Sequence, residues 1–182
     1  MKIAIVKLSS LGDIVHSMVV LQFIKKHYPE SVIDWVVEKR FKGILENNPH
    51  INQIHTVNLK AAIKQKSLKL LFKELIQVRK HREYDLIIDT QGLVKSAIVT
   101  KLMKGIKKVG FDKNSVRERL ASYIYNQKVA IGYDKNTIKR YVKLTAEALR
   151  IKITEDDIIN KEVYLFSKSK LLIPQAPYIV FV

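Results

Sequence analysis

Residues 2–17 read KIAIVKLSSLGDIVHS. The first part is apolar at successive positions from Ile3 to Val6, three of them β-branched, which suits a strand buried on both faces of a parallel sheet. Lys7 follows directly, so the run is far too short for a signal peptide or a membrane span. From about Asp13 the pattern changes period. Ile14, Met18 and Leu21 fall on one helical face and Val15, Val19 and Phe23 on an adjoining one, with basic residues in the last turns and Pro29 as the stop.

The same alternation continues outward. Ile33 to Val37 predicts a second strand, Phe41 to Asn47 a short helix and Gln53 to Val57 a third strand. Leu68, Leu71, Phe72, Leu75 and Arg79 keep helical spacing, Asp85 to Asp89 reads as another strand, and Gln91-Gly92 turns into a helix from Leu93. Val109 and Phe111 suggest a further short strand. Asn136 is placed to cap a long amphipathic helix through Ile138, Tyr141, Val142, Thr145, Ala148 and Leu149. Strand and helix in this order predict an α/β, Rossmann-like, doubly wound parallel sheet, whose ligands lie beyond the carboxyl ends of the strands. That domain is expected over residues 1–167. The stretch 168–182 holds two of the four prolines and ends in YIVFV, which is expected to be a linker and the start of a second, truncated domain.

With 182 residues, 47% hydrophobic and 27% charged, the chain has the composition of a globular protein with a substantial core. It has no cysteine, which excludes disulfides, thiolate nucleophiles and cysteine-bound zinc. Its 33 Lys and Arg against 17 Asp and Glu give a net charge of +16, so an anionic partner is expected: nucleic acid, an anionic membrane surface or a phosphorylated or carboxylated small molecule.

Chemistry concentrates in the turn KLSSLGD. Two hydroxyls, a glycine and a carboxylate connect a buried strand to a helix N-terminus, where backbone N–H groups lack partners and can hold an anion or a sugar. The turn is neither a G-x-G-x-x-G fingerprint nor a phosphate loop. On spacing alone Asp13 has two readings, helix cap and general base, and capping leads. Gly12 has the simple role of a permissive backbone position. Gln91 and Lys95 fall at another strand-to-helix turn, on the ligand side. Between Lys60 and Arg82 eight basic residues face one acid, Glu74; most belong to a solvated helix surface, while Lys60 and Lys64 follow a strand end and are candidates for binding the carboxylates and phosphates of an anionic ligand. A lone His16 offers no metal set, and Tyr123 and Tyr125 read as packing residues.

Four ordered blocks carry a resemblance: VKLSSLGDIVHS at 6–17, IDWVVE at 33–38, DTQGLVKSA at 89–97 and RERLASYIYN at 117–126. Together they resemble the N-terminal half of the lipopolysaccharide heptosyltransferases, in the form carried by the type I enzymes. The resemblance implies the acceptor-binding half of a GT-B glycosyltransferase and an inverting transfer of heptose from ADP-heptose to a Kdo hydroxyl of Kdo-lipid A, with no cofactor and no metal. It implies Asp13 as the catalytic base, Ser9, Ser10 and Gly12 along the donor edge, and Arg117 and Arg140 as acceptor-binding arginines beside Lys60, Lys64, Gln91 and Lys95. It also implies that most donor contacts come from a second domain, so residues 1–182 alone are expected not to transfer heptose. The expected location is cytoplasmic, peripheral to the anionic inner membrane. No specific nucleic acid is expected. The alternative is a basic module that binds anionic glycolipid or nucleic acid without catalysis.

Overall fold

A computed structural model describes residues 1–166. Six parallel strands form one sheet in the order β3-β2-β1-β4-β5-β6, with β1 at Lys2–Val6, β2 at Val32–Glu38, β3 at Gln53–Val57, β4 at Tyr84–Asp89, β5 at Gly105–Phe111 and β6 at Gln127–Val129. The chain therefore leaves β1 in one direction and returns through β4 in the other, which opens a crevice at the carboxyl ends of β1 and β4. The register sets that edge. Val6 pairs with Val36 on one side and Asp89 on the other, so Lys7 and Thr90 emerge side by side.

Helices cover both faces. Helix α1 (Leu11–Met18), α2 (Val20–His27) and α6 (Thr137–Leu149) pack on Ile3, Ile5, Ile33 and Ile88, while α3 (Leu59–Lys64), α4 (Leu68–Arg79) and α5 (Val94–Leu102) flank Ala4, Val6, Val36 and Ile87. Side chains alternate across each strand, which is why a near-continuous apolar run such as Ile3 to Val6 serves two cores at once.

Several elements depart from expectation. The helix expected from Asp13 begins at Leu11, with Ser10 as its N-cap, and its hydrogen-bond ladder is interrupted at Val19 between α1 and α2. The segment expected as a short helix at 41–47 is a 3-10 turn over Lys39–Ile44 with no fully buried residue. Strand β5 starts at Gly105, ahead of the expected Val109. The elements α3, α7 (Glu155–Ile159) and β6 are too short to show a period, and β6 buries only Val129. Gly110 in β5 is needed for packing, because a Cβ there would collide with the Tyr125 ring. The expected linker and strand at 168–182 lie outside the described residues.

Candidate active site at the carboxyl end of the sheet

Asp89, the last residue of β4, is fully buried and organises the turn that follows. Its Oδ1 accepts from the backbone N–H of Gln91 at 2.9 Å and of Gly92 at 3.2 Å, and its Oδ2 accepts from the Tyr125 hydroxyl at 2.8 Å. Burial pushes its pKa up against these bonds. Gly92 turns the chain with φ +67°, a conformation side-chain-bearing residues avoid. Gln91 is thereby presented to the first loop, where its Oε1 accepts from the N–H groups of Leu8 at 2.7 Å and Ser9 at 3.2 Å. Lys95 reaches the same loop and donates to Ser9 Oγ at 2.9 Å. Two sequence-distant blocks, KLSSLGD and DTQGLVKSA, are thus one structure.

Ser10 caps α1, and Asp13 occupies the third helical position rather than the cap. Its Oδ2 accepts from Ser10 N–H at 3.3 Å and Ser10 Oγ at 2.8 Å, while Oδ1 has no hydrogen-bond partner among the described residues. Desolvation raises the Asp13 carboxyl, but the Lys7 charge, both Ser10 bonds and His16 together outweigh it, so its pKa falls below the ordinary carboxylate value. The group is an anion with one oxygen free to accept a proton.

Lys7 is the residue that sequence reasoning missed. It is only 3% exposed, and its Nζ donates to the Tyr141 hydroxyl at 2.6 Å and to Thr90 O at 3.4 Å. Burial lowers its pKa to about 8, against the raising influence of Asp13 and Asp89. A lysine directly after a buried strand, inside the matched block, was the available signal.

Arg140 projects from α6 to the same place. It is 8% exposed, its Nη2 donates to Ser115 O at 2.5 Å and its Nη1 to Gly132 O at 3.4 Å, and its guanidinium lies over the rings of Tyr133 and Phe111. Arg140 forms no ion pair with a carboxylate among the described residues. Arg117 is exposed on the loop after β5. A cavity of about 330 Å³ is lined by Lys7, Ser9, Ser10, Asp13, Gln91, Arg117, Arg140 and Tyr141, with Thr90, Phe111 and Tyr133 among the others.

Four expected residues stand apart from that lining: Lys95, which meets it only through its bond to Ser9, and Gly12, Lys60 and Lys64. Gly12 is exposed in the first turn of α1, one residue from Asp13, and Lys60 and Lys64 are exposed on α3. The exit of β3 is the outermost on its side of the sheet, two strands from β1, which at about 4.8 Å per strand displaces it by roughly 10 Å. Only the Lys60 backbone is tied inward, to Glu38 Oε1 at 3.1 Å. His16 lies outside the cavity lining. A larger groove of about 970 Å³ lies between α6, α7 and residues 130–135, but it gathers none of the Lys7–Asp13–Gln91 group. Among the described residues no three His, Asp or Glu side chains converge as a metal site would require.

The family model for glycosyltransferase family 9 (heptosyltransferase) matches residues 72–182. The chain belongs to this family. Among relatives of glycosyltransferase family 9, lipopolysaccharide heptosyltransferase 1 of Campylobacter coli is 44% identical over 162 residues, 89% of this chain and 46% of the relative. The corresponding Escherichia coli K12 protein is 35% identical over 156 residues, 82% of this chain and 48% of its own length. The chain spans about half the length of the curated relatives it matches. Among solved structures, E. coli heptosyltransferase WaaC with ADP-2-deoxy-2-fluoro heptose superposes with a TM-score of 0.79 at 33% identity, covering 85% of this chain and 50% of that one. E. coli ADP-heptose LPS heptosyltransferase II, at 18% identity and a TM-score of 0.62 over 86% of this chain and 48% of that one, shares the fold. The family expected from the four blocks, and the α/β, Rossmann-like fold expected from the alternation of strand and helix, are therefore established, and the sheet matches about half of the solved heptosyltransferase chains.

Proposed function

We propose that this chain supplies the acceptor site and the catalytic base of an inverting lipopolysaccharide heptosyltransferase that transfers heptose from ADP-heptose to a Kdo hydroxyl of Kdo-lipid A. The observation that carries the reading is the Asp13 carboxylate: ionised, fixed through one oxygen by Ser10, unpartnered at the other among the described residues, and part of the lining of a cavity shared with Lys7, Arg117 and Arg140. In the reaction Oδ1 takes the proton of the acceptor hydroxyl. The freed oxygen attacks the anomeric carbon from the face opposite the nucleotide, the bond from that carbon to the β-phosphate oxygen breaks, and ADP leaves with the bonding electrons. Attack from the opposite face inverts the anomeric centre.

The cations divide the remaining work. Arg117, exposed and without a protein partner among the described residues, is free to take an acceptor carboxylate or phosphate through paired N–H groups. Arg140 spends two of its nitrogens on Ser115 and Gly132 and faces the cavity as a fixed charge. Lys7 keeps Asp13 ionised. Ser9, Ser10 and the start of α1 form the donor edge, where a helix N-terminus favours phosphate oxygens. Lys60 and Lys64 lie farther out, suited to the peripheral anionic groups of a large acceptor. The acceptor is a lipid, so the reaction is placed at the cytoplasmic face of the inner membrane.

The test uses the full-length protein with ADP-heptose and Kdo-lipid A. It is expected to release one ADP per heptose added, with inverted anomeric configuration and a rate unchanged by EDTA. Failure to heptosylate the Kdo acceptor would overturn the substrate assignment, and loss of activity in EDTA would overturn the metal-free mechanism.

A further inference from the structure

Helix α4 carries more apolar surface than the core covers. Leu71 and Leu75 pack toward the sheet with buried Val78. A second row, Leu68, Phe72 and Ile76, follows at intervals of four residues and faces outward, 71%, 64% and 52% exposed. Ile63 of the adjoining α3 is 59% exposed. Single exposed apolar side chains are ordinary, but a row along one helix marks an interaction surface.

The charge around this row is of one sign. Lys69 and Lys73 stand one step round the helix from it, and Lys64, Lys66 and Lys80 are also exposed; none of these forms an ion pair among the described residues. The sole carboxylate between Lys60 and Lys80, Glu74, is turned back to accept from Asn58 N–H at 2.9 Å. That bond also fixes the height of the helix. Asn58 directly follows β3, so the middle of α4 is level with the carboxyl end of the sheet and its first turns stand beyond it, on the side of the Asp13 cavity.

We infer that the α3–α4 hairpin is an interfacial docking element, which seats Leu68, Phe72 and Ile76 at the headgroup–acyl boundary of an anionic lipid bilayer while the flanking lysines meet lipid phosphates. An apolar row bordered by lysines is the arrangement a helix lying in that interface requires, since the long side chains reach the headgroups while the row is buried. Two copies of this face would bring like charges together, which disfavours self-association. The inference adds a surface to the proposed lipid-acceptor reading, and it is testable without the acceptor.

The full-length protein is mixed at near-physiological salt with vesicles of phosphatidylcholine alone or of phosphatidylcholine and phosphatidylglycerol at about 3:1. Phe72→Trp supplies the probe, read as the difference from the unsubstituted protein, in which Trp35 is fully buried. The emission of the introduced indole is expected to shift to the blue on anionic vesicles and to be quenched by lipids brominated near the top of the acyl chain. Phe72→Ser/Ile76→Ser is expected to cut partitioning at least tenfold with thermal stability retained, and Lys69→Gln/Lys73→Gln to weaken it about tenfold with a flatter salt dependence. Absence of the shift, or unaltered partitioning of the serine variant, would overturn the inference. So would emission from the Phe72→Trp variant that is already blue-shifted without lipid, in a dimer or a complex with another protein. Because the vesicles hold no Kdo sugar, these outcomes are independent of whether heptose transfer succeeds.

Discussion

Two carboxylate clusters lie at opposite ends of the sheet, one fully buried and one half-exposed, and they are built to opposite purposes. At the amino end Asp34 of β2 is fully buried and its oxygens accept from Asn52 at 3.0 Å, Tyr84 at 2.8 Å and His55 at 3.3 Å, with Arg82 at 3.2 Å. Burial raises the Asp34 carboxyl, yet these four donors prevail and its pKa is lowered. Nothing is left for a ligand. At the carboxyl end Asp13 receives both of its bonds from Ser10, keeps one oxygen unpartnered among the described residues, and opens onto a cavity edged by cations. A carboxylate saturated by its own chain stabilises a fold; one held by a single residue and left open is available for chemistry.

The largest effect expected on that contrast is structural. Asp34→Ala leaves four donors without their acceptor and should cost about 3–5 kcal/mol in denaturant unfolding, with little change in the Asp13 cavity. A loss below about 1 kcal/mol would show that the amino-end cluster is not a structural tie. Next comes Lys7→Met in the full-length protein, where heptose transfer should fall roughly a hundredfold, about 2.7 kcal/mol in barrier. Stability should behave differently. The folded pKa of Lys7, about 8, lies below its unfolded value of 10.5, so burial of its charge weighs against folding below pH 8 and that penalty is relieved as pH rises toward 10.5. Any stability advantage of the methionine variant at pH 7 should therefore shrink by pH 10, and an advantage that is constant with pH would refute the buried-charge account.

A smaller effect belongs to the amino end. His81 stacks on His55 with ring centroids 3.9 Å apart, and burial lowers its pKa to about 4 from 6.5. The unfolded chain then takes up a proton that the folded one refuses, so stability should decline between pH 6.5 and 4, by roughly 1–3 kcal/mol. His81→Gln should remove most of that slope. The smallest is Ser10→Ala, which removes the cap hydroxyl that holds Asp13 and should cost about 1 kcal/mol of stability with a several-fold loss of transfer.

How much of this could be read from the chain follows from burial. Strands β1 and β4 announce themselves because both faces are covered, so apolar residues run without a break. Strand β5 hides behind Lys107, Lys108 and Gly110, and the outermost β6 buries too little to show any pattern. In the site, Ser9, Ser10, Asp13, Gln91, Arg117 and Arg140 are brought together as expected, because each follows a strand that ends at the central crevice or projects from the helix above it. Lys60 and Lys64 also follow a strand, but an outer one, and strand order in the sheet is not visible in sequence. Lys7 is hidden for the converse reason. A lysine at the end of an apolar run reads as the residue that ends the strand, and only the fold shows its amine turned inward beneath Asp13 and against Tyr141.

The most direct test of the account is Asp13→Asn in the full-length protein, followed by single-turnover heptose transfer with both substrates saturating. Asn retains an oxygen to accept from Ser10 but is no base, so the variant should fold, bind ADP-heptose and acceptor with near-normal affinity, and transfer heptose slower by a factor of about 10²–10⁴. Transfer at the normal rate by a folded, substrate-saturated Asp13→Asn protein would contradict the account and leave the carboxylate as a helix-capping group.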